Sequence, residues 1–279
     1  MALSVLNNIP ALVAQNELSN TQENLQKTLY QLSSGSRINS GADDAAGLAI
    51  ADGLQANITA LTQSASNASN GVGSLQVADG ALSQVTVLLN RAITLGTEAA
   101  TGTVSSSQRG ALDAEFQSIL AEVNSIGSGT TFNGAPVFST AVTSIFLSDS
   151  TAAGTSTIGV STGQLSSTVL GLVGTAITGN PGAGGVTDPV ATLTLINTAI
   201  GSVADTRGRI GAGINQLQAA NNVMNNEIQN LTTAEDGIRA ADIPTVVGDL
   251  SKYSILEQTG ISALAQANAQ QQQVLSLLK

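Results

Sequence analysis

Cysteine and histidine are both missing from this 279-residue chain, and together their absence removes much chemistry. No disulfide can form, no thiol can act as nucleophile, no Cys/His metal site can be built, and the commonest general acid/base is lacking. Charge is scarce as well: 10% of residues are charged, the net charge is −10, and no basic residue occurs between Arg109 and Arg207. A phosphate backbone would be repelled, so nucleic-acid partners are not expected. Aromatic residues make up 2%, so packing must come from Leu, Ile, Val and Ala. No uninterrupted apolar run is long enough to span a bilayer, so membrane insertion is not expected either. The first charge is Glu17, so the N-terminus lacks the basic region of a cleavable secretory signal. No catalytic residue, cofactor site or metal site is identified.

What the chain does have is helical periodicity. From about Gly47 to Leu95, the residues Leu54, Leu61, Ala68, Leu75, Leu82 and Leu89 recur at every seventh position. Ile58, Ala65 and Val72 form a second row four residues further on. Such alternation lines one seam of an α-helix and keeps it facing a partner helix. About 50 residues at ~1.5 Å rise would span roughly 70 Å, and no such helix is stable alone in water. Its partner begins at Asp188-Pro189, an N-cap followed by Pro at the first helical position. From there Leu193, Ile196, Ile200, Val203, Ile210, Ile214, Leu217, Met224, Ile228 and Leu231 follow three-four spacing, interrupted by Arg207 and Asn221. The bundle seam is therefore assigned to Leu54, Leu61, Leu75, Leu82 and Leu89 against Ile196, Ile200, Ile210, Ile214 and Leu217. A shorter helix carrying Leu112, Phe116, Ile119, Val123 and Ile126 is its third member.

Outside the bundle lie two terminal helices, residues 1–34 and 245–279, joined to it by connectors at 35–46 and 232–244. In the first, Leu18, Leu25 and Leu32 are seven apart. In the last, Leu256, Ala263, Ala267, Val274 and Leu277 share one flank, beside Ile261, Leu264, Leu275 and Leu278. The last helix carries no charge between Glu257 and Lys279 and is rich in Gln, Asn and Ala. Uncharged amide faces can stack in many copies, because amides hydrogen-bond where ions would lose hydration. Such ends suggest self-assembly. Ser40 with Asp43 has capping-box spacing, and Asp43-Asp44 would favour the N-terminus of the first long helix. Asn67, Asn70, Gly71 and Gly73 should weaken that helix midway.

The centre reads differently. Thr131–Phe138 contains an Asn133-Gly134 turn between short apolar groups, and Thr143–Leu147 with Thr155–Val160 reads as two β-segments. Val173–Thr187 is Gly-rich and reads as a loop. The fold class is mainly α: a long antiparallel helical bundle or coiled coil formed by the N- and C-terminal regions, with a small central β-hairpin region. The bundle is placed at 47–147 and 188–231, and the β-hairpin with a short variable surface segment at 131–187.

Three stretches resemble bacterial flagellin: Leu32–Ile50, Thr131–Gly134, and the ending from Ser251-Lys252-Tyr253-Ser254-Ile255-Leu256 to Val274-Leu275-Ser276-Leu277-Leu278. The resemblance implies a structural subunit that polymerises into the flagellar filament, the helical propeller of swimming motility. It implies terminal helices forming an inner tube and a bundle with its β-hairpin forming an outer tube. The centre is too short for large outer domains, so a minimal two-layer subunit is expected. The implied partners are copies of the chain itself, hook-associated junction and cap proteins, an export chaperone and the type III export apparatus. The implied location is the extracellular filament, reached without signal cleavage. Family members also supercoil by switching between two packings, and the Gly- and amide-rich middle of the first long helix, with the β-hairpin, is the expected source. In many flagellins the flagellin-sensing Toll-like receptor contacts an Arg, a Leu and a Glu, here matched by Arg91, Leu95 and Glu115. The alternative is a solvated Arg91–Glu115 ion pair over a core leucine. Related flagellins are often O-glycosylated on an exposed centre, and the matching hydroxyls are Ser139, Thr143, Ser148, Ser150, Thr151, Thr155, Thr157 and Ser161.

Other readings fit less well. A hook–filament junction protein would share similar termini. An enzyme would need more than the capping pair Asp43-Asp44, and Gly208–Gly213 lies in a helical repeat with no strand before it, so it is not a phosphate loop. The glycosylation triplets at Asn57, Asn67 and Asn230 fall on helices and are attributed to chance. An injection-system tip protein would need a membrane-active segment.

Overall fold

The computed structural model describes residues 8–148 and 156–277, with side chains to residue 273. Its described elements are α1 (Ile9–Ser34), α2 (Ala45–Ala99), α3 (Ser106–Gly129), β1 (Thr131–Phe132), β2 (Ala135–Pro136), β3 (Thr143–Phe146), β4 (Thr157–Val160), α4 (Pro189–Arg239) and α5 (Ile243–Leu277). This is a mainly helical fold with a small β region. The described chain falls into two compact units, one of residues 1–56 and 230–279, the other of residues 57–229.

In the second unit, α2 and α4 run antiparallel. Gly96 meets Leu193, Asp79 meets Arg207, Leu75 meets Gly213, and Ala65 and Ser69 meet Asn221. Leu61, Leu75, Leu82, Leu89, Ile196, Ile210 and Leu217 are all buried, as are Ala68, Val203 and Met224. Ile200 and Ile214 flank them half-buried, and Leu54, in the first unit, is half-buried too. A second seven-residue row on α2 was not singled out in the sequence: Ala78, Val85, Ala92 and Ala99, each fully buried. Each large aliphatic withdrawn from water stabilises by about 1.5–3 kcal/mol. One stretch of α2 is long and apolar enough in composition to cross a bilayer. Its leucine row is what α4 covers.

Helix α3 begins with a capping box: Ser105 Oγ accepts from Gln108 N, and the Gln108 side chain accepts from Ser105 N. Phe116, Ile119, Leu120 and Val123 form its buried face. The two hairpins pair Phe132 with Ala135 and Thr143 with Val160. Asn133 at φ 51° and Gly134 at φ 77° close the first as a two-residue turn of the kind that matches strand twist. The glycines of α2 do not interrupt the helix. A methyl group at Gly71 would overlap Ile145 Cδ1 and lie 3.1 Å from Leu217 Cδ1, so the missing side chain is the space in which β3 packs.

The Gly-rich segment after β4 is not a free surface loop. Leu165, Leu170, Leu172 and Ile177 are buried, and four polar side chains on α3 hold its backbone. Arg109 Nε donates to Thr178 O, Asp113 Oδ1 accepts from Ile177 N, Gln117 Nε2 donates to Thr175 O, and Asn124 Oδ1 accepts from Ser167 N. At Gly127 a Cβ would collide with the Leu165 carbonyl oxygen. Residues 164–187 are thus a strap lashed along α3. At its end the Asp188 carboxylate accepts from Gly182 N, Gly184 N and Val190 N and opens α4.

In the first unit the helices outrun the expected connectors. Helix α4 continues to Arg239, eight residues beyond the expected end at 231, and leaves only 240–242 between it and α5. Glu235 and Arg239, one turn apart at 3.7 Å, support that extra stretch. Across from it, residues 35–44 pair with the short link: Arg37 N donates to Arg239 O at 2.7 Å and Ala241 N to Gly35 O at 3.0 Å, around an antiparallel bridge between Ser36 and Ala240.

Candidate assembly surfaces

Helices α1 and α5 lie antiparallel within the first unit. Asn8 Nδ2 donates to Ala267 O at 3.3 Å, Leu18 faces Gly260, and Gln22 Nε2 donates to Glu257 Oε1 at 3.3 Å. Leu18, Leu25 and Leu32 turn towards this contact and are half-buried, with Thr28 buried beside them. They therefore serve the chain's own helix pair first. On α5 the facing flank is Val246, Tyr253, Gly260, Leu264 and Ala267, so of the expected row only Ala267 looks inward. Leu256 and Ala263 are exposed. Seven-residue spacing alone could not tell the two flanks apart, because small or apolar residues occupy both. Val274 and Leu277 lie outside the residues with described side chains, and Leu278 outside the described residues.

The pair covers little of its own apolar surface. Ile9, Leu12, Val13 and Tyr30 on α1 and Ile255 and Ile261 on α5 are each more than half exposed. An open groove of about 860 Å3 runs between the helices, lined by Asn8, Ile9, Leu12, Gln15, Leu18, Gln22, Leu264 and Asn268. Its lining mixes aliphatic and amide groups and contains no charge. Soluble single chains rarely present so much contiguous apolar surface, and where they do it marks an interaction site.

The base of this unit carries the two carboxylates read as helix caps. Asp43 does not cap α2: its Oδ2 accepts from Asn39 N, Ser40 N and Ser40 Oγ, and its Oδ1 lies 2.7 Å from Lys27 Nζ on α1. The ammonium of Lys27, then the Asn39 amide, holds its carboxyl down at about 2. Asp44 is the cap, accepting from Gly47 N at 2.9 Å. One carboxylate therefore ties the connector to α1 and the other starts α2.

On the second unit, Arg91 Nε donates to Glu115 Oε1 at 2.7 Å with both side chains exposed, and Leu95 is fully buried. The hydrogen bond to Glu115 raises the Arg91 pKa, and the same bond lowers that of Glu115. Leu95 is core and has no surface to offer a receptor. Among the hydroxyls matched to glycosylation, Thr143, Thr157 and Ser161 are exposed. Ser139 is half-buried, and its Oγ accepts from Ala141 N. Ser148 is buried, and its carbonyl accepts from Ser64 Oγ, which leaves no room for a sugar. Ser150, Thr151 and Thr155 lie outside the described residues. A smaller cleft of about 360 Å3 opens between α2 and the hairpins, beside Asn70, Phe132, Pro136, Phe146 and Val160.

Comparison with known proteins points to one family at both ends of the chain. Residues 5–143 match the family described as the bacterial flagellin N-terminal helical region, and residues 193–278 match the bacterial flagellin C-terminal helical region. The flagellar filament 33 kDa core protein of Treponema phagedenis is 33% identical over 285 residues, covering 98% of both chains. A flagellin of Halalkalibacterium halodurans is 32% identical, again over 98% of both. The flagellin of Bacillus subtilis is 30% identical over 99% of this chain and 100% of its own.

Proposed function

This chain belongs to the bacterial flagellin family and is a structural subunit of the flagellar filament, an extracellular assembly; we propose that it polymerises through the uncovered faces of α1 and α5. The observation that carries this reading is the apolar surface those helices leave exposed, Leu12, Val13, Ile255 and Ile261 foremost. Copies of the same helices are suited to cover it, because the faces are mainly aliphatics and amides, with few charges to desolvate. The α2–α4 bundle, with α3, the hairpins and the strap, then forms the outer layer. The family is structural, and catalysis is not part of this reading. The alternative of a hook–filament junction protein is not favoured, since the relatives are filament proteins.

Further partners follow from the same reading. The chain is exported unfolded by the type III apparatus with a chaperone and adds to a growing end bounded by junction and cap proteins. The exposed Arg91–Glu115 pair is the part of the receptor-matching set that a host Toll-like receptor could reach. Exposed Thr143, Thr157 and Ser161 are the acceptors for O-linked sugar, which the intact mass of native filaments would reveal.

The direct test is electron microscopy of purified chain after salt-induced assembly, alongside Val13→Asp and Ile261→Asp. The parent forms filaments and both variants stay monomeric with unchanged unfolding midpoints. Filaments of normal yield from both variants would contradict the proposed surface.

A further inference from the structure

The α2–α4 seam has a degeneracy built into its repeats. On α2 the buried row is Leu61, Ala68, Leu75, Leu82 and Leu89; on α4 it is Ile196, Val203, Ile210, Leu217 and Met224. Both rows advance by seven residues. Sliding one helix past the other by one repeat would therefore set aliphatic against aliphatic again along most of the seam. Apolar packing is non-directional and discriminates poorly between such registers. The chain nevertheless has one register, with Leu75 beside Gly213.

We propose that the Asp79–Arg207 ion pair is a register pin that selects this alignment from its seven-residue neighbours. Arg207 reaches Asp79 through two hydrogen bonds, Nε to Oδ1 at 2.7 Å and Nη2 to Oδ2 at 3.2 Å. Asn221 Nδ2 donates to Ala65 O at 3.2 Å and to Ser69 Oγ at 3.1 Å. These are the two residues that break the apolar row of α4. A slip of one repeat would bring Arg207 beside Val72 or Thr86, and Asp79 beside Ile200 or Ile214. The same slip would carry Asn221 from Ser69 to Thr62 or Gln76, so its amide keeps a polar neighbour. What each slip separates is the two charges. A polar residue in an otherwise apolar seam is known to fix register in this way, at some expense of stability. The pair acts by excluding wrong alignments more than by strengthening the right one.

The absence of cysteine makes the test clean. Leu75→Cys with Gly213→Cys reports the native register; Ala68→Cys or Leu82→Cys with Gly213→Cys reports the two slipped ones. Each pair is placed in the full-length chain, unfolded in guanidinium, refolded and oxidised, and the disulfide yield is read by peptide mapping. With the ion pair intact, only the native cysteines close. In Asp79→Leu/Arg207→Leu the slipped disulfides should rise by about ten-fold. In the charge-swapped Asp79→Arg/Arg207→Asp, which keeps an ion pair, they should return to background. Circular dichroism checks that each variant is helical, and Asp79→Asn alone serves if the double variant does not fold. Slipped disulfides that stay at background in every variant lacking the ion pair would overturn the proposal, and so would a swapped variant that slips as freely as the double. The readout uses the monomer, so it is independent of whether the chain polymerises.

Discussion

Lys27 Nζ on α1 sits 2.7 Å from Asp43 Oδ1 in the connector, so the first helix is fastened to the chain that leads out of it. The folded pKa of Asp43, about 2, is depressed below the usual carboxylate value near 3.9. A depressed folded pKa contributes stability that is complete above the unfolded value and lost as pH falls through the folded one. Asp43→Asn should therefore cost about 1 kcal/mol at neutral pH, a figure discounted because Lys27 is half exposed. The difference from the parent should shrink below about pH 4 and vanish only below about pH 2, read from denaturant midpoints across that range.

Leu82 is fully enclosed in the α2–α4 seam. Leu82→Ala should lower the unfolding free energy of the bundle by about 2–5 kcal/mol, through lost transfer energy plus the cavity left behind. Urea titration of the monomer followed by circular dichroism measures it. Val87→Ala, on a side chain 60% exposed, should change little.

Two glycines near the middle of α2 separate helix propensity from packing. Gly71→Ala should destabilise by about 1–3 kcal/mol, because its methyl group meets Ile145 and Leu217. Gly73→Ala has ordinary contact distance to Phe132, 3.5 Å, and should be neutral or stabilising. If both stabilised equally, the space at Gly71 would not be serving the hairpin.

The strap should be the part of the second unit most sensitive to one side chain. Arg109 is buried and donates to Val104 O, Thr178 O and Asn180 Oδ1. Arg109→Leu strands these acceptors, each lost bond costing about 1–3 kcal/mol where the group stays buried. Limited proteolysis followed by mass spectrometry should then show first cuts within residues 171–187, where the parent resists.

The bundle was legible because leucines at seven-residue intervals announce a helix and its partner together. Arg207 and Asn221 were visible as breaks in the row, but their partners Asp79, Ala65 and Ser69 lie more than a hundred residues away. The glycines of 173–187 announced a loop correctly, but not its attachment, because the anchors Arg109, Asp113, Gln117 and Asn124 stand on another element. The apolar spacing of Leu165, Leu170, Leu172 and Ile177 was the available clue. The end of α4 was set too early because Thr232-Thr233 and the charges after it resemble a boundary; Glu235 with Arg239 is instead a one-turn pair inside the helix. In α5 the row of Leu256, Ala263 and Ala267 could not be divided in advance, because nothing local distinguishes a face that meets α1 from one awaiting another molecule.

Hydrogen exchange of the backbone amides in 9–34 and 243–273, compared between monomer and assembled filament, tests the account most directly. The account predicts exchange within seconds to minutes in the monomer, where these helices cover little of each other, and strong protection once copies pack around them. Equal, strong protection in a monomer that forms no filament would contradict it.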